Sequence, residues 1–335
     1  MSEPETEGAR ETAQSQRAAN ETQRSLAGSR AADWGLAERN SGQFRIDSRF
    51  GAIISGKGRR REAIAAALRA ELEPNGGLAL FSVTSSEEAT ALAANLAGRV
   101  EYLVAVGGDG TVADVATGIF GSTTSLGIIP AGSTNIIARS LGIPADPFRA
   151  VKVLAAEFGL RRIDVGRCHD RCFLHMAGVG FDAALFASTD PKLKRALGWI
   201  AYLPAAATAA RIPPSWIEVQ VDGERIETMS PLVLVSNGSA LITPGLEVYP
   251  DIQIDDGRLD ILVFETVTPA QAVAAFGLTG LRLLHTSRLV TRLRGSSVSI
   301  AAEPALLLQL DGDVRGQTPV ELSIVHHGMN VAVPA

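Results

Sequence analysis

The stretch that most constrains the fold is Leu103–Thr111, where an apolar run enters a turn that contains three glycines. Leu103–Val106 is apolar without alternation, which is typical of a short strand buried on both faces. Thr111 can cap a following helix, whose free N–H groups and dipole attract an anion. The glycines of the turn can adopt positive φ and let a ligand approach the main chain closely; they are Gly107, Gly108 and Gly110.

Asp109 places one carboxylate among these N–H donors. A phosphate would not bind beside a bare carboxylate, and we therefore expect Asp109 to hold Mg²⁺ or a Mg²⁺-bound water. The alternative is an ordinary tight turn between a strand and a helix. The Gly-Gly-Asp-Gly motif by itself does not decide between the two.

A second stretch, Leu126–Asn135, repeats the pattern of an apolar strand and a glycine-containing turn that leads into a predicted helix. Gly132, Ser133 and Asn135 lie in this turn, and the unit closes at Ile143-Pro144, a signal that ends helices. Two successive strand–loop–helix units put both loops at the carboxyl edge of one parallel sheet, where α/β folds bind ligands.

The composition narrows the class of protein. The 335 residues are 46% hydrophobic, which allows two domains of ordinary size. The net charge is −5, so the chain lacks the overall basic character typical of nucleic-acid-binding domains. Two cysteines exclude a disulfide scaffold and fit a reducing compartment. The polar N-terminus is unlike a secretory signal, and no charge-free run supplies the ~20 apolar residues of a membrane span. We expect a cytoplasmic protein whose contact with membranes is peripheral.

The two glycine-rich stretches carry a family resemblance. Gly-Gly-Asp-Gly-Thr, followed by Leu-Gly-Ile-Ile-Pro-x-Gly-x-x-Asn and Arg-x-Leu-Gly-Ile-Pro, resembles the diacylglycerol kinase catalytic-domain family over roughly residues 50–335. That family includes bacterial soluble diacylglycerol kinases, related bacterial lipid kinases, and sphingosine and ceramide kinases. The resemblance implies an ATP-dependent lipid kinase that transfers the γ-phosphate to the hydroxyl of diacylglycerol or a similar lipid, with Mg²⁺ as cofactor.

The resemblance also implies an α/β nucleotide-binding domain like those of NAD kinase and diacylglycerol kinase, followed by a mainly antiparallel β-sandwich domain. We place the first domain at residues 47–162 and the lipid-substrate domain at 163–317, with about 318–335 as a candidate to return to the first. Residues 1–46 read as a disordered polar tail. The lipid substrate implies peripheral contact with the membrane surface, for which a helix over Lys192–Ala210 is a candidate. Homodimers occur in the family.

Several further residues are candidates for nucleotide contacts. Ser55 and Lys57 follow the first predicted strand, where N–H groups and an ammonium could meet phosphate. Thr84 follows the second strand, and Thr84–Glu87 resembles a capping box. By resemblance a Thr in this loop approaches the nucleotide, and the glycine-rich loops seat the phosphates with help from Ser133 and Asn135.

By resemblance, the chemistry of the site depends on carboxylates. Asp311 matches the general base of an Asp-Gly-Glu motif, and Asp313 stands in place of the Glu. Asp256 matches a residue of a structural Mg²⁺ site, with Asp164 and Arg139 in the charged network near that metal. From spacing alone, the segments around Asp256 and Asp311 are turns.

Two alternatives remain open. An NAD kinase shares Gly-Gly-Asp-Gly, although the Asn-Glu pair expected for its adenosine ribose is absent between Thr111 and Arg171. A non-catalytic nucleotide-binding or lipid-binding relative is the other, because Ile136 replaces the acid that often follows Asn in the family and Asp313 replaces a Glu.

A zinc site is not indicated by spacing. Cys168–Cys172 contains two cysteines and one histidine, but no second Cys/His pair at metal spacing follows. His285, His326 and His327 show no ligand spacing either.

Overall fold

The computed structural model describes residues 48–56, 58–180, 214–239, 247, 249–266 and 268–335. Three expectations lie outside these residues, namely the polar tail 1–46, the contact of Lys57 and the helix over Lys192–Ala210.

The N-terminal part is a parallel sheet with helices. Its strands are β1 Phe50–Ser55, β2 Leu78–Val83, β3 Tyr102–Gly107 and β4 Ser125–Pro130. Its helices are α1 Arg59–Leu72, α2 Ser86–Leu96, α3 Asp109–Ile119, α4 Ile136–Ser140 and α5 Pro147–Ala155, with a 3₁₀ turn at Glu73–Asn75. The strand order is β2-β1-β3-β4, every pair parallel. β3 and β4 are buried along their whole length, as continuous apolar runs predict.

Helix starts in this part follow local capping rules, with two corrections to the sequence-based prediction. Ser85, and not Thr84, is the N-cap of α2, and its side chain accepts from the Glu88 N–H. Thr111 does not cap α3, because this helix already begins at Asp109 and its N-cap is Gly108.

The C-terminal part is built from antiparallel strands. They are β5 Phe158–Cys168, β6 Arg171–Phe173, β7 Met176–Val179, β8 Ser215–Val221, β9 Glu224–Ser230, β10 Leu232–Ser236, β11 Leu259–Phe264, β12 Val290–Gly295, β13 Ser297–Glu303, β14 Leu307–Leu310, β15 Asp313–Gln317 and β16 Val320–Pro334. Helix α6 spans Pro269–Gly280, and a 3₁₀ turn covers Leu284–Thr286. One sheet has the order β12-β11-β10-β7-β14-β15.

The two parts share a sheet through β16. This strand pairs in parallel with β4 at Val331 and antiparallel with β5 and β13, which extends the parallel sheet into the β-sandwich. Apolar residues of both sheets meet in the sandwich core, including Phe173, Val235 and Ile300. The fold is therefore the predicted one, an α/β domain followed by an antiparallel β-sandwich.

Two hairpins turn on Asp-Gly. Asp222 and Gly223 have φ of 46° and 97° between β8 and β9, and Asp311 and Gly312 have φ of 47° and 97° between β14 and β15. Two consecutive positive φ values match the twist of a two-residue hairpin turn, for which Asp-Gly is a preferred sequence.

None of the described helices combines the length and the apolar character that crossing a bilayer requires.

Candidate active site

The two glycine-rich loops lie against each other at the carboxyl edge of the parallel sheet. The Ala131 N–H donates to the Gly107 carbonyl oxygen at 2.8 Å. A Cβ atom on Gly132 would lie 2.5 Å from the Gly108 Cα, so a side chain at position 132 would force the loops apart. The close approach of main chain to main chain explains why glycine is required at this point.

Asp109 joins the loops. Its Oδ1 accepts a hydrogen bond from the Ile137 N–H at 3.0 Å, which ties the start of α3 to the start of α4. Oδ1 is therefore occupied, whereas no residue in the described ranges forms a hydrogen bond with Oδ2. The Thr111 side chain packs directly against Gly107, because a Cβ at position 107 would lie 2.4 Å from the Thr111 Oγ1.

Asn135 stabilises the second loop from inside. It is buried with φ of 51°, its Oδ1 accepts from the Gly132 N–H at 3.0 Å, and its Nδ2 donates to the Gly132 carbonyl at 2.9 Å. Both ends of the amide are thus engaged within the loop, which assigns Asn135 to the loop's shape. Ser133 is exposed, with its Oγ 3.5 Å from that of Thr134.

The remaining nucleotide candidates lie at the same edge of the sheet. Ser55 ends β1 and pairs with Val83 of β2, so Ser55 and Thr84 flank the glycine-rich loops. The Glu88 carboxylate accepts from the Thr84 N–H at 2.6 Å and lies 3.2 Å from the Thr84 Oγ1.

Asp311 presents a carboxylate on the β14–β15 turn. Its oxygens accept three main-chain N–H bonds, from Leu174 at 2.8 Å and from His175 and Met176 at 2.9 Å each. Burial raises the pKa of Asp311 to about 7, against the lowering effect of the three N–H donors, and the negative charge of Asp109 raises it further. Asp311 and Asp109, which are remote in sequence, therefore interact electrostatically.

Asp313 brings the same hairpin onto the first glycine-rich loop. A Cβ on Gly110 would lie 2.8 Å from the Asp313 Oδ2. The same oxygen accepts from the Arg315 Nη2 at 3.0 Å. The hairpin that carries Asp311 and Asp313 is thus held at the first turn of α3.

An ionic cluster around Asp114 connects these elements, and sequence reasoning missed it. Asp114 of α3 is 5% exposed, and its Oδ1 accepts from Ser86 Oγ at 2.5 Å, Arg171 Nη1 at 2.9 Å and Arg315 Nη2 at 3.4 Å. Burial raises the pKa of the Asp114 carboxyl, while Ser86 and both arginines act against that shift. The available signal was an acid on an otherwise apolar helix face, since a buried carboxylate requires partners.

The predicted metal residues occupy two places. Asp164 is fully buried and accepts from the Gly257 N–H at 2.6 Å, so it lies against the turn that contains Asp256. Asp109 lies instead in the glycine-rich loops, and Arg139 is exposed on α4.

Asp256 is itself engaged by cationic and main-chain donors. Its Oδ1 accepts from the Arg258 N–H at 3.0 Å, and its Oδ2 lies 2.5 Å from the Arg294 Nη2. A guanidinium therefore neutralises the carboxylate that the resemblance assigns to Mg²⁺, and this donor set does not fit a site built for a hard cation.

Comparisons with known proteins agree with this architecture. Residues 53–168 match the family model of the diacylglycerol kinase catalytic domain, and residues 176–333 match that of the YegS C-terminal NAD kinase beta sandwich-like domain. The diacylglycerol kinase of Bacillus subtilis (strain 168) is 28% identical over 260 residues, which cover 76% of this chain and 84% of that protein.

A Pseudomonas putida protein named as a probable YegS-like lipid kinase is 30% identical over 267 residues, 78% of this chain and 87% of that protein. A solved structure of a candidate diacylglycerol kinase from Bacillus anthracis str. Sterne has a TM-score of 0.72 at 23% identity. It covers 89% of this chain and 98% of that chain, which shows a shared fold.

Proposed function

The chain belongs to the diacylglycerol kinase catalytic-domain family, and we propose that it is an ATP-dependent lipid kinase that phosphorylates a hydroxyl of diacylglycerol or a similar lipid. The observation that carries this proposal is the meeting of the Asp311 hairpin with the first glycine-rich loop. Gly110 and Asp313 are close enough that a Cβ on the glycine would be 2.8 Å from the carboxylate.

The glycine-rich loops would seat the phosphates of ATP. The start of α3 supplies free N–H groups with no side-chain cap, and the helix dipole favours a negative charge there. Contact between Gly108 and Gly132 keeps the surface free of side chains, so that phosphate can approach the main chain. Phosphoryl transfer depends mainly on such positioning and on charge neutralisation.

Asp109 has one oxygen occupied by Ile137 and one available, which fits a role in holding Mg²⁺ through water. Bound Mg²⁺ would neutralise the charge that develops on the phosphates. Asp109 would also keep the two loops in register, because its bond to Ile137 crosses between them.

Asp311 would accept the proton of the lipid hydroxyl. A general base works best when its pKa lies near the working pH, and burial raises the pKa of Asp311 to about 7. Three main-chain N–H donors hold the carboxylate in one orientation, with Oδ2 accepting one of these bonds and Oδ1 two. Oδ2 therefore has more free lone-pair capacity for the proton.

The lipid would be met at the membrane surface by peripheral contact, and ATP would be the second substrate. An NAD-phosphorylating enzyme and a non-catalytic relative are retained as outcomes of the test and not as second proposals.

The test is transfer of label from γ-labelled ATP, with Mg²⁺, into acceptors in mixed micelles. The panel contains diacylglycerol, monoacylglycerol, sphingosine, ceramide, phosphatidylglycerol and NAD. Label in one lipid, lost in Asp311→Asn, supports the proposal. Label in NAD alone would refute the lipid assignment, and ATP binding without transfer to any acceptor would refute the kinase assignment.

A further inference from the structure

His326 and His327 lie in an irregular part of β16. The pairing of β16 with β5 shifts register between Val325 and Met329, and His327 has φ of 51°. Such bulges turn side chains out of the regular alternation of a strand. Here the two imidazole rings stack, with centroids 3.7 Å apart and planes inclined by 26°.

The buried carboxylate of Asp164 lies beside these rings. Its Oδ1 is 2.9 Å from the His326 Nδ1 and accepts from the His327 N–H at 2.7 Å. Its Oδ2 accepts from the Gly257 N–H at 2.6 Å, which fixes the carboxylate from the other side. Two segments remote in the chain, β16 and the turn at residue 257, therefore converge on this acid of β5.

The arrangement has the dimensions of a metal site. Asp164, His326 and His327 each offer one ligand atom, and these atoms all lie within 4.8 Å of one another. Within the described ranges, it is the one group of three such residues that meets this criterion. Nitrogen and oxygen ligands bind Zn²⁺ at about 2.0–2.2 Å, so the exposed imidazoles would have to turn out of their stack to bring all three ligand atoms onto one ion.

We propose that Asp164, His326 and His327 bind a divalent transition metal of the Zn²⁺ type. Two imidazoles and one carboxylate suit Zn²⁺ and its neighbours, whereas Mg²⁺ prefers oxygen ligands alone. The His326 side chain is 53% exposed, which leaves room for water as the fourth ligand. When the metal binds, any proton on a coordinating ring nitrogen would be released to solvent.

The neighbouring turn, which contains Asp256 and Gly257, fits a metal at the histidines better than a metal at Asp256. Arg294 already neutralises Asp256, the residue expected to serve a structural Mg²⁺. Gly257 makes space for the imidazole, since a Cβ there would lie 3.0 Å from the His326 Nδ1. A metal at the histidine pair would therefore link the same turn to β5 and β16 by different ligands. This inference does not depend on the kinase assignment.

The experiment is a Zn²⁺ titration of the full chain, stripped of metal and free of any polyhistidine tag, in competition with a chromophoric chelator. We expect one equivalent to bind to the wild type. The double variant His326→Gln/His327→Gln should bind at least about 100-fold more weakly, since even outer-shell changes cost 10–100-fold. Co²⁺ should give the visible absorption of a tetrahedral site in the wild type only.

The matched control is His169→Gln/His285→Gln, which removes two exposed histidines elsewhere and should leave the affinity unchanged. Unfolding without metal is compared for both double variants, so that a folding defect is not mistaken for lost ligands. Failure of the wild type to bind one equivalent of Zn²⁺ would overturn the proposal. So would Zn²⁺ binding that survives in the His326/His327 variant and disappears in Asp256→Asn. Neither outcome bears on phosphate transfer.

Discussion

Replacement of Asp311 by asparagine tests the proposed general base at almost constant volume. The Asp311 carboxylate accepts from Leu174 through Oδ2 and from His175 and Met176 through Oδ1. An asparagine can keep the two bonds at Oδ1, but its NH₂ group would then face the Leu174 N–H. One buried donor loses its acceptor, which costs about 1–3 kcal/mol in the free energy of unfolding.

The stability comparison is best made by urea unfolding at about pH 5.5, below the pKa of about 7. Wild-type Asp311 is then mostly neutral, and the amide differs from the acid chiefly by one hydrogen-bond acceptor. The folded-state pKa exceeds the reference value of about 3.9. The stability contributed by this protonation is therefore fully present below about pH 4 and is lost as the pH rises through about 7. The asparagine variant should lack this dependence.

The catalytic effect should be larger than the effect on stability. Loss of general-base help lowers kcat by about 10²–10⁴-fold, measured with γ-labelled ATP at saturating lipid. In the wild type, kcat/KM should rise with pH and level off, with the midpoint of the rise near pH 7, because the ionised base is the active form. A wild-type profile that is flat across this range, or a variant that keeps more than about a tenth of the wild-type kcat, would contradict the assignment.

The matched control is Asp222→Asn on the other Asp-Gly turn. The Asp222 carboxylate also accepts main-chain N–H bonds, from Ser296 at 2.8 Å and Ser297 at 2.9 Å, so the substitution disturbs a similar turn. Because it lies on the β8–β9 hairpin, away from the glycine-rich loops, kcat and its pH dependence should not change.

Three further substitutions separate the roles of the loops and of the ionic cluster. Gly132→Ala should push the loop away from Gly108, lower the affinity for ATP and reduce the free energy of unfolding by about 1–3 kcal/mol through overpacking. Gly159→Ala is the control, because its Cβ would meet no atom within 4 Å, and it should change neither the ATP affinity nor the free energy of unfolding in the same ATP-binding and urea assays. Asp109→Asn should keep the bond to Ile137 and the stability within about 0.5 kcal/mol while raising the Mg²⁺ concentration needed for transfer; an unchanged Mg²⁺ requirement would contradict its role. Asp114→Ala should cost about 2–4 kcal/mol in urea unfolding, somewhat below a fully buried pair because its arginine partners are about one-fifth exposed; a loss below about 1 kcal/mol would show that the cluster contributes little.

Local sequence signals identified the buried strands next to the glycine-rich loops, whereas the β-sandwich was expected from the family resemblance. The apolar runs before Gly107 and Pro130 have no alternation, and both form strands buried on both faces. Asp222-Gly223 forms a hairpin turn because Asp-Gly readily adopts two consecutive positive φ values.

Errors arose where several neighbouring residues could make the same local bond. Thr84, Ser85 and Ser86 all carry hydroxyls that can cap a helix, and the start of α2 selects Ser85. Thr111 has the side chain of a cap but lies inside the first turn of α3. Position along the helix decides which hydroxyl reaches a free N–H, and composition alone leaves that position uncertain by one or two residues.

The sequence by itself determined the elements around the two glycine-rich loops, because these follow from apolar patterning and from the close approach of main chain that glycine permits. The Asp-Gly turns follow from the positive φ values that this dipeptide adopts. Tertiary structure alone decided which charged groups meet. Asp311 bonds to Leu174 across 137 residues, and His327 bonds to Asp164 across 163. No local period encodes such contacts, because they form only after β16 joins the two sheets and buries the acids, whose desolvation then requires these donors.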